Sequence, residues 1–396
     1  MRNTRKATVA VLFGGRSVEH EVSIITGHQI MDALEVAAYS LLPVYISKDG
    51  EWYAGASLRN VNQYRHPSFE PAKLPNAHRV SLSPDRSVRQ LLAHPDSYKG
   101  LFGKSPRLWA DIFFPAIHGT FGEDGTLQGL FEMADVAYVG AGVGGSAMGM
   151  DKVRMKALFH DAGIPVLSCL SISREEWRMG SETFIADLET SIKYPLIVKP
   201  SCLGSSIGVT RCENSEQLND AVELALELDD NALIERALVD FVEVNCSVIG
   251  PPERASVCEQ PFTSEKVLTF DAKYKRGSKG AKSGNEAGMA SLERIIPAPI
   301  SDELTARIQQ LSIRAFQVIG GSGVARLDFL LEHGGENLYL NEINTMPGSI
   351  AFYLWESSGV PFDELVTQCV NIALERQRQR ARTRFSFETN LLVQQT

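Results

Sequence analysis

At 396 residues, with 44% apolar and 22% charged side chains, the chain is too long for one small core and reads as a globular protein of two or three domains. A net charge of −9 excludes a nucleic-acid binder held by phosphate contacts, and no apolar run approaches the roughly 18 residues of a membrane span. The six cysteines (169, 202, 212, 246, 258 and 369) form no CxxC pair, which points to buried thiols in a reducing cytoplasm rather than to disulfides or zinc.

The opening, MRNTRKATVAVLFGG, runs directly into a strand and a glycine turn, so a signal peptide is not expected. The strand TVAVLFGG, the polar loop RSVEHEVS and a helix from about Ser23 to Val36 lead to a second strand, SLLPVYIS. The same alternation returns at ADIFFPAIHG, TFGEDGTLQGLFEMA and VAYVG. This predicts a doubly wound α/β unit with a parallel sheet over residues 1–140. The stretch 50–108, rich in Pro, Ser and Asn, reads as an insertion between strands with no element assigned.

A helix from Ala147, AMGMDKVRMKALFHDA, stops at Gly163 with Pro165 beyond it. PVLSCLSIS, a polar helix near 175–191, the strand YPLIVKP, the turn SCLGSS, a helix near 214–228 and ALIERAL complete a second unit, 141–238. The third, 239–396, holds VEVNCSVIG, RASVCEQPF, a glycine- and lysine-rich loop at 273–288, a helix over 302–318, the strands VARLDFLL and NLYLNEIN, and a C-terminal helix over 361–381. The fold class is therefore mixed α/β (α+β).

Glu342 and Asn344 alternate along the apolar strand that also carries Leu338, Leu340 and Ile343, so both oxygen-bearing side chains share a face. Asp328 lies fourteen residues earlier in VARLDFLL. Two carboxylates and an amide make a hard oxygen site suited to Mg²⁺ held between protein and nucleotide phosphates. Taken alone, the three are equally compatible with outward-facing polar residues of a half-exposed strand.

Between two apolar strands, Lys199-Pro-Ser-Cys-Leu-Gly204-Ser205-Ser206-Ile-Gly208 offers flexible backbone N–H groups and a fixed positive charge to phosphate oxygens. An ordinary hairpin turn is the competing reading. No G-x-x-x-x-G-K-[ST] occurs, so the grip is not a P-loop. Gly140-Ala-Gly142-Val-Gly-Gly145 matches G-x-G-x-x-G, but the next strand lacks the acidic end that a dinucleotide ribose needs. The strand end running through Glu235, Arg236 and Leu238 fits a hinge that offers backbone groups to adenine, with Glu243 nearby for ribose hydroxyls. Lys152 and Lys273 read by default as solvated lysines. His118 follows a strand at the carboxyl edge of the parallel sheet, where α/β proteins place ligands, though a packing histidine fits as well.

FGGRSVEHEVS, PAIHGTFGEDGTLQGLFE, MDKVRMK, VKPSCLGSSIGV, DAKY, ARLDF and NEINTMPG occur in this order. In this the chain resembles the D-alanine–D-alanine ligases of the ATP-grasp superfamily, over about residues 9 to 375. The resemblance implies three domains, with ATP between the second and third, and Mg²⁺ (or Mn²⁺) on Asp328, Glu342 and Asn344. It places phosphate contacts on Lys152, Lys199 and Lys273 and the ribose on Glu243. Glu19 would hold the first D-alanine's ammonium, with His118 beside that substrate. Ser205 and Tyr274 would latch a mobile loop together with Glu19, and Arg326 with the Gly348 N–H would hold a tetrahedral oxyanion. The chain departs from the family pattern after NTMPG. There Ser349-Ile-Ala-Phe-Tyr353-Leu354 puts Tyr353 where a serine is expected, with Leu354 matching the leucine of the acceptor site.

The expected activity is ligation of two D-alanines for peptidoglycan precursors in a bacterial cytoplasm, by a homodimer with no nucleic-acid or membrane partner. D-serine or D-lactate as acceptor, or a non-catalytic nucleotide-binding regulator on the same fold, are the alternatives.

Overall fold

The computed structural model describes residues 7–95, 108–262 and 293–387. Three sheets organise them. The first contains β1 (Thr8–Gly14), β2 (Ser40–Ile46), β3 (Trp52–Ala54), β4 (His78–Leu82), β5 (Leu91–Ala93) and β6 (Ile112–Pro115), in the order β5-β4-β3-β2-β1-β6. Only β2-β1-β6 is parallel. The stretch left unassigned by its composition forms three short 3-10 turns and an antiparallel meander, β3 to β5, which widens the sheet.

Along β1, Val9, Val11 and Phe13 bury against the helix His20–Val36, while Ala10 and Leu12 face the other side with Leu127 and Phe131 of the helix Thr126–Ala134. Such continuous apolar strands mark a sheet covered on both faces. The helix His20–Val36 begins three residues before the expected Ser23, which makes Glu19 its N-cap residue.

The second sheet, β7 (Cys169–Ser173), β8 (Leu196–Pro200), β9 (Thr210–Cys212) and β10 (Asn231–Arg236), is antiparallel in the order β7-β10-β8-β9. Its helices begin at well-formed caps: Ser173 and Glu176 make a capping box for Arg174–Ser191, and Asn214 caps Ser215–Leu228. The third sheet joins β11 (Phe241–Gly250), β12 (Arg254–Pro261), β13 (Arg294–Ile295), β14 (Gly323–Glu332) and β15 (Asn337–Asn344) in the order β13-β12-β11-β14-β15. The helix Asp302–Val318 buries Ile308, Ala315 and Phe316 against it.

Two segments pack away from the units to which their chain position assigned them. The helix Lys152–Asp161 sinks Met155 and Phe159 into the core of the third sheet, not the second. The C-terminal helix Phe362–Arg380 lays Leu365, Val366 and Val370 beside Val9 and Val11 of the first sheet. Arg376 fastens it there by donating to the carbonyls of Gly140 (2.6 Å) and Tyr138 (2.8 Å). The helix Phe362–Arg380 thereby joins the first and third units.

Candidate active site

The site grows from a β-bulge. In register, Asp328 faces Glu342 but Phe329 faces Leu340, so Asn341 is an extra residue in β15. Strict alternation would put Glu342 and Asn344 on the same face as Leu338 and Leu340. The bulge reverses the phase: Leu338, Leu340 and Ile343 are buried on the core side, and Glu342 and Asn344 emerge half-buried on the other.

Asp328, itself buried, meets this face from β14. Arg326 grips it with two parallel bonds, Nε to Oδ1 and Nη2 to Oδ2, both 2.7 Å, and Asn344 Nδ2 donates to Oδ2 at 3.1 Å. Burial draws the Arg326 guanidinium's pKa down, but Asp328 outweighs it and holds the pKa well above the usual value. Glu243 lies on this face two residues from Asn245, the residue opposite Asp328, and is half-buried.

The second sheet brings the lysines. Lys199 Nζ contacts Glu235 Oε1 at 2.5 Å and Asn341 Oδ1 at 3.1 Å, so the bulge residue also ties the two sheets together. Glu235 is buried, with Lys156 2.8 Å from its other oxygen. Burial pushes its carboxyl up, but Lys199 and Lys156 overcome this and bring it to about 2. Its side chain is thus a counter-ion for two lysines. Arg236 forks onto Glu332 (2.7 and 3.1 Å), again joining the second and third sheets, and Leu238 is buried.

Lys152 follows the N-cap Asp151, whose carboxylate accepts from the backbone of Val153 and Arg154 and from Ser201 Oγ. This fixes the helix start against the 199–208 loop, and Lys152 Nζ donates to Leu203 O at 2.7 Å. Burial pulls the Lys152 ammonium pKa down, while Glu342 opposes that shift.

Glu19 supplies the opposite wall. Ser205, in left-handed backbone (φ 55°), donates its hydroxyl to Glu19 Oε1. A Cβ on either Gly119 or Gly204 would stand 2.8 Å from Glu19 Oε2, so only glycines leave room for the carboxylate. His118 is buried, with Nδ1 2.8 Å from Met346 O and Nε2 2.8 Å from Thr26 Oγ1.

Glu19, His118, Lys152, Ser205, Arg326, Glu342, Asn344 and Gly348 line one cleft. Ser206, half-buried in the same loop (φ 56°), and Ser349, Tyr353 and Leu354 beyond Gly348 do not line it. Tyr353 instead donates its hydroxyl to Glu259 (3.2 Å), under the Arg294 guanidinium 3.7 Å above its ring. Leu354 has no exposed surface. Lys273, Tyr274 and the 273–288 loop lie outside the described residues.

Glu123 also lines the cleft and was missed, although it stands inside the HGTFGEDG block. Its oxygens accept from Gly119 N (2.8 Å) and Met346 N (2.9 Å), one in each flanking loop. Burial, helped by Glu19, pushes its carboxyl up to about 8 against those two bonds.

Models of the D-ala D-ala ligase N-terminus and the D-ala D-ala ligase C-terminus match residues 8–141 and 158–371. The chain belongs to the D-alanine–D-alanine ligase family. A D-alanine–D-alanine ligase from Heliobacterium modesticaldum is 38% identical over 95% of this chain and 97% of its own. One from Geobacillus thermodenitrificans is 36% identical over 97% and 100%. Among solved structures, the D-alanine–D-alanine ligase of Coxiella burnetii superposes with a TM-score of 0.75 at 28% identity, covering 95% of this chain and 97% of that one. A D-Ala:D-Ser ligase from Enterococcus faecalis gives the same TM-score and identity over 93% of this chain and all of its own. The fold is ATP-grasp and the protein is an ATP-dependent ligase, which removes the reading as a non-catalytic regulator. Among the described residues no helix is long and apolar enough to cross a membrane.

Proposed function

We propose that this ligase joins two D-alanines into D-alanyl-D-alanine, with release of ADP and phosphate, for peptidoglycan precursors in a bacterial cytoplasm. The observation that carries the reading is one cleft with two chemically opposite walls: the Glu19 carboxylate with the Glu123 carboxyl beside it, and cations at Arg326 and Lys152. An amino acid has both an ammonium and a carboxylate to place, and the two walls match them. Glu19 takes the first ammonium, leaving that substrate's carboxylate to face the cations. A carboxylate oxygen attacks the γ-phosphorus of ATP, ADP leaves, and an acyl phosphate forms. The neutral amine of the second D-alanine then adds to its carbonyl, and the tetrahedral intermediate expels phosphate. Arg326 and the Gly348 N–H face the developing oxyanion, where fixed donors act on transition-state charge. Lys152 and Lys199 serve the phosphates, and the backbone of 236–238 with Glu243 serves the adenosine.

Asp328, Glu342 and Asn344 suit Mg²⁺: the Arg326 fork and the Asn344 amide nitrogen take both lone-pair positions of Asp328 Oδ2 and one of Oδ1, which leaves one on Oδ1 open, and the Glu342 carboxylate and the Asn344 amide oxygen add further hard donors. Bound there, Mg²⁺ would neutralise phosphate charge. Glu19, with Ser205 and Tyr274, would hold the loop that excludes water from the acyl phosphate. The enzyme would work as a homodimer.

ADP release with D-alanine, D-serine and D-lactate as competing acceptors near neutral pH tests the reading. D-alanine should dominate. Preference for D-serine would align the chain with the Enterococcus faecalis relative, and preference for D-lactate would overturn the dipeptide product.

A further inference from the structure

Directly after Gly348, three consecutive L residues adopt left-handed backbone: Ser349 (φ 53°), Ile350 (φ 44°) and Ala351 (φ 52°). That conformation is unfavourable for each of them, and most for β-branched Ile350. Such a run persists only where its surroundings over-determine it. Within the loop, Ile350 N–H donates to Pro347 O at 2.8 Å and Phe352 N–H to Ser349 O, and Ala351 packs with Tyr353 and Leu354. The side-chain hydrogen bonds that hold the segment come from the first unit. Ser349 N–H donates to Thr26 Oγ1 at 3.1 Å, and Met346 is held at its N–H by Glu123 and at its carbonyl by His118.

Donor and acceptor accounting fixes the protons. Met346 O can only accept, so His118 Nδ1 carries the hydrogen. Burial lowers the imidazole's pKa, against the raising influence of Glu19, which favours the neutral ring and leaves Nε2 as an acceptor. With no hydrogen on Nε2 of the neutral ring, the Thr26 hydroxyl donates to it across 2.8 Å, while its oxygen accepts the Ser349 N–H. The links run from Ser349 through Thr26 and His118 back to Met346, and Gly348 lies inside that closed chain.

We propose that Thr26 is a positioning residue for the ligation: its hydroxyl anchors both Nε2 of the His118 ring, whose Nδ1–H the Met346 carbonyl fixes, and the strained segment that follows Gly348 at the cleft. Thr26 is buried in the helix His20–Val36 and does not line the cleft itself, so it acts through its neighbours. The proposal rests on the ligase reading given to Gly348.

Thr26→Val keeps the shape and removes the hydroxyl, whereas Thr26→Ser keeps the hydroxyl and removes a methyl. Phosphate release with ATP and D-alanine should show kcat falling about 10- to 100-fold in Thr26→Val, the scale of a misplaced reacting group, with KM for ATP within about twofold. Thr26→Ser should stay within about threefold of wild type. Nitrogen-15 NMR of histidine-labelled wild type, assigned by difference against His118→Gln, should show a neutral ring protonated at Nδ1. Full turnover in Thr26→Val, equal damage in Thr26→Ser, or a His118 proton on Nε2 would each overturn the proposal. The NMR result stands even if Thr26→Val does not fold. Wild-type protein inactive with every acceptor would count instead against the ligase reading.

Discussion

Glu235, behind the lysine wall, and Glu123, on the substrate wall, are both buried glutamates, yet their surroundings drive them in opposite directions. Glu235 lies between Lys199 and Lys156 and is brought to about 2, whereas Glu123 has Glu19 beside it, accepts only two backbone N–H bonds and rises to about 8. Burial acts alike on both, so the identity of the neighbours decides the sign. On the lysine side, part of the cationic charge is already balanced by Glu235, and in the proposed reading the remainder meets the phosphates of a nucleotide. Among the described residues, the other side keeps two carboxyl groups together without a cation paired to either, an arrangement that an incoming ammonium would relieve.

The strongest way to break this division is to neutralise the cleft carboxylate proposed to serve the metal and the phosphates. Glu342→Gln should lower turnover by about 10³-fold, the scale of losing one fixed electrostatic partner of the transition state. Its unfolding midpoint should barely move, because Glu342 is only half-buried. Near-normal ADP release at ordinary Mg²⁺ would remove the metal assignment.

Lys199→Met tests the lysine wall from the other side. Glu235 keeps Lys156 but loses its 2.5 Å partner, and stability should drop by about 3 kcal/mol, as when one member of a buried pair is removed. KM for ATP should rise at the same time. A stable variant with unchanged ATP affinity would mean that neither Glu235 nor a phosphate depends on this lysine.

Glu123→Gln sharpens the contrast through pH. The folded carboxyl of Glu123 holds its proton up to about 8, while the unfolded one ionises near 4.5, so ionisation favours the unfolded chain across that interval. Its contribution to stability is therefore complete below 4.5 and is lost as pH rises through about 8. Glu235 behaves oppositely: its contribution is present above 4.5 and is lost as pH falls toward about 2. Urea midpoints of wild type and Glu123→Gln, measured across the neutral range, should diverge in slope. Parallel curves would show that Glu123 is not the titrating group. Because the glutamine amide would face a backbone N–H, the variant should also be less stable by about 1–3 kcal/mol.

The sequence made the phosphate side more legible than the substrate side, for physical reasons. A lysine beside a glycine-rich turn and oxygen-bearing side chains alternating on a strand have recognisable spacing, so Lys199, Glu342 and Asn344 could be singled out from local pattern, whereas Lys152 read as a solvated lysine until the family resemblance singled it out. Even there, the alternation argument needed the Asn341 bulge to come out right, and nothing in NLYLNEIN announces an extra residue. The roles of Glu123 and Thr26 rest on backbone N–H groups 223 and 323 positions away in the chain and on a ring 92 positions away, which no local pattern encodes. The edge strands between 50 and 95 were illegible because they are short and interrupted by 3-10 turns. The C-terminal helix was found at nearly its true limits, but its partner sheet at the opposite end of the chain was not.

The smallest effect is expected where the chain departs from its family. Tyr353 occupies the place of a serine expected at the acceptor site, yet its hydroxyl donates to Glu259, which also accepts from Asn245 (3.2 Å) and pairs with Arg294 (2.8 Å). Burial, with Glu259 adding to it, pushes the phenol up to about 12, so it stays a neutral donor at any working pH. A hydroxyl committed to a buried carboxylate has no further hydrogen to give an acceptor's carboxylate. Tyr353→Phe should therefore leave KM for the second D-alanine within about twofold, while the loss of one hydrogen bond to a charged group lowers stability by about 1.5–3 kcal/mol. Acceptor titrations at saturating ATP, paired with urea unfolding, measure both. A KM raised tenfold with unchanged stability would return the phenol to the acceptor site and make its bond to Glu259 a resting arrangement that substrate displaces.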